Sequence, residues 1–210
     1  MRHHLLIPFC LLLFYPVAAQ SHGPGSEGFP GHEFQLEARS ADSGQLGVNF
    51  GLSQLLINGF NVAVEGRYKR WVFEYSHGMN LDFNAAGGVA LTEEEERQNL
   101  EVFTPWSTGA GIGYVLLDEL YLGAEFKGHR FEIDHPGGES LSYTTVSIGP
   151  VLAWRYFIWD GLHTNIYLRY WPNIWSSLDD DKHTFDTGEV HEAKDFGVFA
   201  NVSLGWAFNL

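Results

Sequence analysis

A carboxylate, a hydroxyl and an imidazole stand together in Glu74-Tyr75-Ser76-His77, the set from which acyl-transfer enzymes build a nucleophile and its base. Side chains of an extended strand point alternately to opposite faces, so Glu74 and Ser76 share one face and His77 takes the other. A local Ser–His pair therefore requires a bulge near Gly78, and no catalytic residue is assigned.

Ten histidines raise metal chemistry, but no His-x-x-x-His or comparable pair falls on one element, and His129, His183 and His191 sit near or in expected loops, where histidines are more often solvated than ligating. No metal and no cofactor is expected. The acidic runs Thr92-Glu93-Glu94-Glu95-Glu96 and Asp179-Asp180-Asp181 read first as solvated, mutually repelling surface. Their functional alternative is binding of a hard divalent cation, for which Asp179, Asp180 and Asp181 are the candidates. With 12 basic against 26 acidic residues, a formal net charge of −14, the chain is unsuited to nucleic acid, whose phosphates demand a basic surface.

The N-terminus carries Arg2, an apolar stretch from Leu5 to Val17 and the small-residue site Val17-Ala18-Ala19, which together read as a cleaved secretory signal peptide over residues 1–19. The only cysteine, Cys10, lies inside that stretch, which leaves the mature chain without thiol chemistry. Residues 20–44, rich in Gly, Ser, Pro and His, read as a flexible periplasmic leader. No later window approaches a transmembrane helix, so any membrane role falls to strands.

Strands are what residues 45–210 suggest. From Phe196 to Leu210 every even position is apolar, and the odd positions are small or polar except Phe199. Such a run exceeds an ordinary soluble strand and matches a tilted membrane strand. The same division recurs over Phe60–Glu65, Trp71–Asp82, Trp106–Leu116, Leu120–His129, Val146–Tyr156 and Leu162–Ile174. Tight connections at Gly66–Lys69, Leu117–Glu119 and Ile158–Gly161 alternate with long ones at Asn84–Asn99, Ile133–Ser140 and Ser176–Asp195. With both termini on the turn side the strand number must be even, and Leu46 to Ser53 supplies the eighth, although Phe34 to Arg39 alternates as well. The expected fold is all-β, an eight-stranded antiparallel transmembrane β-barrel with short periplasmic turns and longer outer loops. Eight strands close around an interior filled by side chains. That interior takes Glu65, Glu74, Glu125, Lys127, Arg155 and Arg169, a balanced set that permits mutual pairing.

The last residues, Ser203-Leu204-Gly205-Trp206-Ala207-Phe208-Asn209-Leu210, resemble the signal read by the outer-membrane barrel assembly machinery, carried here by Ser203, Gly205, Phe208 and Leu210, with a terminal leucine in place of the more usual phenylalanine. Together with Gly111-Ile112-Gly113-Tyr114 and Leu120-Tyr121-Leu122-Gly123-Ala124, the chain from Leu46 to Leu210 resembles the small OmpA/OmpX/OmpW-type outer-membrane β-barrel proteins. The resemblance implies the fold, location in the bacterial outer membrane and the assembly machinery as partner; outer-membrane lipid and lipopolysaccharide are the expected surroundings, and a monomer is the expected state. It does not imply a substrate. The expected role is non-enzymatic, structural in the envelope or in surface interaction, with a lumen plugged by side chains. Alternatives are a barrel that binds or passes hydrophobic compounds, hinted at by its many glycines, and a lipid A acyl-modifying enzyme. Barrels of the deacylase type place a serine two residues after a histidine, whereas here Ser76 precedes His77. A soluble lipocalin-type barrel is the remaining rival, weakened because Trp106, Trp154, Tyr156 and Trp206 share the apolar face.

Overall fold

Alternating segments form strands because the ladder satisfies every backbone N–H and C=O while the two faces are free to differ in chemistry. In a computed structural model of the chain, which describes residues 44–88, 90–117 and 119–210, eight long or medium strands form one wall. They are β1 (Gln45–Gly51), β2 (Phe60–Tyr68), β3 (Trp71–Asp82), β4 (Glu101–Leu117), β5 (Leu120–Asp134), β6 (Ser140–Trp159), β7 (Leu162–Trp171) and, last in the chain, β11 (Gly197–Asn209). Each pairs antiparallel with the next, β7 pairs with β11, and β11 pairs with β1. The wall thus closes as an eight-stranded antiparallel β-barrel. The first strand is the one at Leu46. The expected signal peptide, the leader as far as residue 43 and the rival segment Phe34–Arg39 fall outside the described residues.

The turn end matches expectation, with Lys69 taking a left-handed conformation between β2 and β3 and Asp160 another between β6 and β7. The loop end differs. The segment Ile133–Ser140, expected as a long loop, shortens to the five-residue turn His135–Glu139, because β5 runs outward to Asp134 and β6 begins at Ser140. The segment 84–99 carries helices α1 (Ala85–Gly88) and α2 (Glu93–Arg97). Between β7 and β11 lie β8 (Asn173–Ser176), which pairs with β6, and β9 (Lys182–Thr184) and β10 (Val190–Glu192), which pair with each other. These pieces fold into an ordered cap over the loop end.

Two irregularities change which residues point inward. Asn80 takes a left-handed φ of 57° in β3, so the inward set passes from Val72, Glu74 and Ser76 to Leu81 and Phe83. Leu81, which strict alternation puts outside with Met79, is buried for this reason. A register shift between Phe103 and Trp106 does the same in β4.

The barrel is inverted relative to a soluble protein. Its outer face exposes Leu46, Val48, Phe50, Val64, Phe73, Ile112, Leu122, Phe126, Ile148, Leu152, Leu168 and Leu204. Tyr68, Trp71, Tyr114, Tyr156, Trp159 and Trp206 ring the turn end on the same face, and Tyr170 and Trp175 lie toward the loop end. Inside, charged and polar side chains fill the barrel, with Val72, Tyr121, Val151, Ala153 and Tyr167 packed among them. At the loop end the interior turns apolar, where Leu81, Phe83, Leu100, Val102, Phe131, Ile133, Tyr143 and Phe185 form a buried cluster.

Candidate functional site

The sequence places a charged residue at inward positions on several strands, and closure of the barrel brings these together. All six expected lumen residues, Glu65, Glu74, Glu125, Lys127, Arg155 and Arg169, are buried. Arg155 donates through Nη2 to Glu65 (2.5 Å), through Nε to Asn165 Oδ1 (3.0 Å) and through Nη1 to Gln45 Oε1 (3.0 Å). Arg169 grips Glu125 with Nε and Nη2 at 2.8 and 3.0 Å, reaches Glu74 at 3.5 Å and donates to Asn201. Its guanidinium also lies 3.8 Å from the centre of the Tyr167 ring, and stacking of this kind suits a planar, weakly hydrated cation. The Trp171 indole donates to Glu125 (2.9 Å), and the Tyr167 hydroxyl donates to Glu74 (3.1 Å) and accepts from Asn165 Nδ2 (3.0 Å). Lys127 donates to Ser76 Oγ and lies 5.2 Å from the Trp171 ring.

Two members escaped the sequence reading. Arg67 donates to Glu65 at 2.7 Å and to Glu119 at 2.6 Å, and so links the lumen to the β4–β5 turn. Arg67 follows Glu65 by two residues on the same face, and extending the alternation beyond Glu65 would have found it; Glu119 lies in a turn, where no periodicity marks it. Arg67, Lys127, Arg155 and Arg169 then face Glu65, Glu74, Glu119 and Glu125, which is the charge balance that buried ions require.

The glycines of β4 make this packing possible. A Cβ at Gly109 would lie 2.0 Å from Phe126 O and 2.5 Å from Lys127 Cδ, and one at Gly111 would lie 2.9 Å from Glu125 Cγ. Side chains of β5, Lys127 and Glu125, therefore occupy the space that a Cβ at these glycines would take. The void bordered by Glu74, Gly111, Gly113, Tyr121, Glu125 and Val151 holds about 10 Å³, the size of one water.

The Glu74-Tyr75-Ser76-His77 run divides as alternation requires. Ser76 is buried against Lys127, while His77 stands on the other face beside Val62 and Thr108. No Ser–His pair forms.

The cap has polar contacts of its own. Thr92 and Glu95 form a capping box at the start of α2, and the Glu95 carboxylate is buried and accepts from Lys194 Nζ at 2.5 Å. Burial pushes the Lys194 ammonium down from its ordinary value, and Glu95 opposes that shift. The Tyr143 hydroxyl accepts the Lys194 backbone N–H (3.1 Å) and is hydrogen-bonded to His191 Nε2 at 3.0 Å. Burial draws the His191 imidazole down from its ordinary value. At the rim, His135 Nδ1 accepts from Gly137 N–H (2.9 Å), which leaves Nε2–H to donate to Glu189 at 2.7 Å. His183 lies 2.8 Å from Glu139, whose other oxygen accepts from Asp186 N–H. Phe185 is buried between the two rings, 4.5 Å from His135 and 5.1 Å from His183.

These contacts correct the expectation of solvated loop histidines: His129 and His191 are buried, and His183 is half-buried. They also correct the view of Glu93–Glu96 as wholly solvated, since Glu95 is buried. The Thr-x-x-Glu spacing was the available signal. Asp179, Asp180 and Asp181 lie on a 3-10 turn with no residue of it buried, and among the described residues no three of His, Cys, Asp and Glu converge in a metal-holding geometry. Of the expected assembly signal, Ser203 and Gly205 face the lumen and Phe208 and Leu210 face outward. Gly205 has a packing reason of its own, because a Cβ there would lie 2.1 Å from Asn49 Oδ1.

No family model and no curated protein matches the chain. Among solved structures it is similar to Neisserial surface protein A (NspA), at 14% identity and a TM-score of 0.43 over 81% of this chain and 98% of that one. It is also similar to a major outer membrane protein from Thermus thermophilus, at 10% identity and a TM-score of 0.42 over 79% of this chain and 99% of that one. Neither likeness is close enough to transfer a role.

Proposed function

We propose that the chain is an integral outer-membrane barrel without catalytic activity, its lumen closed by side chains, and that it serves the envelope as a structural or surface-interacting element. One observation carries this reading: polarity is inverted, with paired ions inside and a continuous apolar belt with aromatic ends outside. Water is a poor solvent for that belt, and a bilayer core flanked by interfaces suits it. Strands long enough to cross, such as β4, β5, β6 and β11, fit the roughly 9 to 11 tilted residues a membrane strand needs.

Under this reading the turn end faces the periplasm, the capped end faces outward, and the acidic residues of the cap meet the lipopolysaccharide surface. A cleaved signal peptide delivers the chain, and the barrel assembly machinery receives it through Ser203, Gly205, Phe208 and Leu210. The barrel acts as a monomer. The lumen network is structural, since among the described residues Ser76 has no imidazole partner and the void beside Glu74 and Glu125 has room for about one water.

Conductance in a planar bilayer tests the closed lumen. The reconstituted protein is expected to give no steady current, while the quadruple variant Lys127→Ala, Arg155→Ala, Glu65→Ala, Glu125→Ala, if it still folds, gives one. Steady channels from the wild type would contradict a closed lumen.

A further inference from the structure

β1 is the shortest member of the wall, and its early end leaves part of β11 without a neighbour. The β1–β11 register stops with Gly51 opposite Ser203, and the chain then turns aside into the 3-10 turn Ser53–Ile57. β11 runs on outward to Gly197, paired on its other side with β7. The alternation of an antiparallel ladder decides which backbone groups this leaves open. Ala207 N–H donates to Gly161 O on the β7 side, whereas Leu210 N–H donates to Gly44 O and Val202 N–H to Ser53 Oγ on the β1 side. Even-numbered residues of β11 therefore turn N–H and C=O toward β1. Among the described residues, Val198 and Ala200 meet no partner there.

The surroundings of this notch are apolar. Leu55 and Leu56 of the 3-10 turn are 51% and 63% exposed, and Val198 is 62% exposed. Leu52 and Phe50 carry the patch into the outer belt. Hydrocarbon cannot satisfy an open strand edge, which is why membrane barrels close their walls. An occupant of this notch must offer an apolar chain to the leucines and polar atoms to the edge, and a lipid at the depth where chain meets head group has both.

We propose that the notch between β1 and β11 binds one acyl-chain amphiphile of the surrounding leaflet. Its chain lies against Leu55, Leu56 and Val198, and an oxygen of its head-group region accepts the Ala200 N–H. The proposal rests on the reading that the belt lies in a bilayer.

The mature chain, reconstituted in vesicles of phosphatidylethanolamine and phosphatidylglycerol and extracted in mild nonionic detergent, is weighed intact by native mass spectrometry. One phospholipid mass per barrel is expected to remain. Ala200→Pro removes the edge donor without touching a ladder bond, and Leu56→Asp places a charge against the chain. Each is expected to lower the retained fraction at least tenfold while the gel band still shifts on boiling, as a folded barrel's does. If Ala200→Pro gives no such band, Leu56→Asp alone decides. Retention unchanged in the folded variants, or no lipid on the folded wild type, overturns the proposal. So does a dimer mass that Ala200→Pro abolishes, which would give the edge to a second copy. A wild type that enters no vesicle and shows no boil-sensitive band defeats the membrane reading itself, and is distinguishable from these results.

Discussion

Arg169→Met removes the cation that holds the lumen network together. In the wild type Arg169 binds Glu125 twice, reaches Glu74 and stacks on Tyr167, and both members of the Arg169–Glu125 pair are almost wholly buried. Without it, among the described residues, Glu125 keeps only the Trp171 N–H as hydrogen-bond donor and Glu74 only the Tyr167 hydroxyl. Leaving one partner of a buried pair uncompensated costs about 3–5 kcal/mol, roughly two to three and a half decades in the folding equilibrium. The double variant Arg169→Met, Glu125→Met removes both charges, and replacing a whole buried pair with apolar groups is often close to neutral. The double variant is therefore expected to be more stable than the single one. Reversible urea unfolding from lipid vesicles, followed by tryptophan fluorescence and by boil-sensitive gel mobility, measures both. A single variant within about 1 kcal/mol of wild type, or a double variant less stable than either single, would refute the claim that paired charge sustains this interior.

Gly109→Ala drives a methyl group toward Phe126 O at 2.0 Å, and is expected to cost at least about 1–3 kcal/mol, seen as a lowered urea midpoint. Glu95→Ala strands the buried Lys194 ammonium and should speed hydrogen exchange in Val190–Lys194 by at least tenfold while the barrel strands stay protected. Acid should release the cap in two steps visible by the same exchange. His191, whose folded value is depressed by burial, contributes stability above its ordinary value of 6.5 that is lost as pH falls through its folded value. Glu139, held down by the Asp186 N–H and then His183, and Glu189, held down chiefly by His135, contribute stability above 4.5 that is lost as pH falls below it. His191→Phe should remove the first step and leave the second.

Much of the barrel was legible because a period of two is the direct print of a wall with two solvents. The run from Phe196 to Leu210 identifies its strand and its outward face without any tertiary information. The six charged lumen residues follow from the same parity. What parity cannot supply is a change of phase: Asn80 in β3 and the irregularity before Trp106 switch the inward set, and Leu81 moves from the belt to the core. The cap was illegible for another reason. Glu95 with Lys194, and His135 with Glu189, are joined across loops, where no period constrains which residues meet. The notch at Val198 depends on the unequal lengths of β1 and β11, a property of register that neither strand's own sequence displays.

The inverted polarity of the wall can be read directly from its indoles. Trp71, Trp154, Trp159, Trp175 and Trp206 are exposed on the outer face, whereas Trp171 is buried in the lumen. In vesicles containing lipids brominated along the acyl chain, most of the tryptophan emission is expected to be quenched, most strongly by bromines near the head group, and aqueous iodide is expected to have little effect. Emission quenched by iodide and untouched by brominated lipid would place the apolar belt in water and contradict a membrane-spanning barrel.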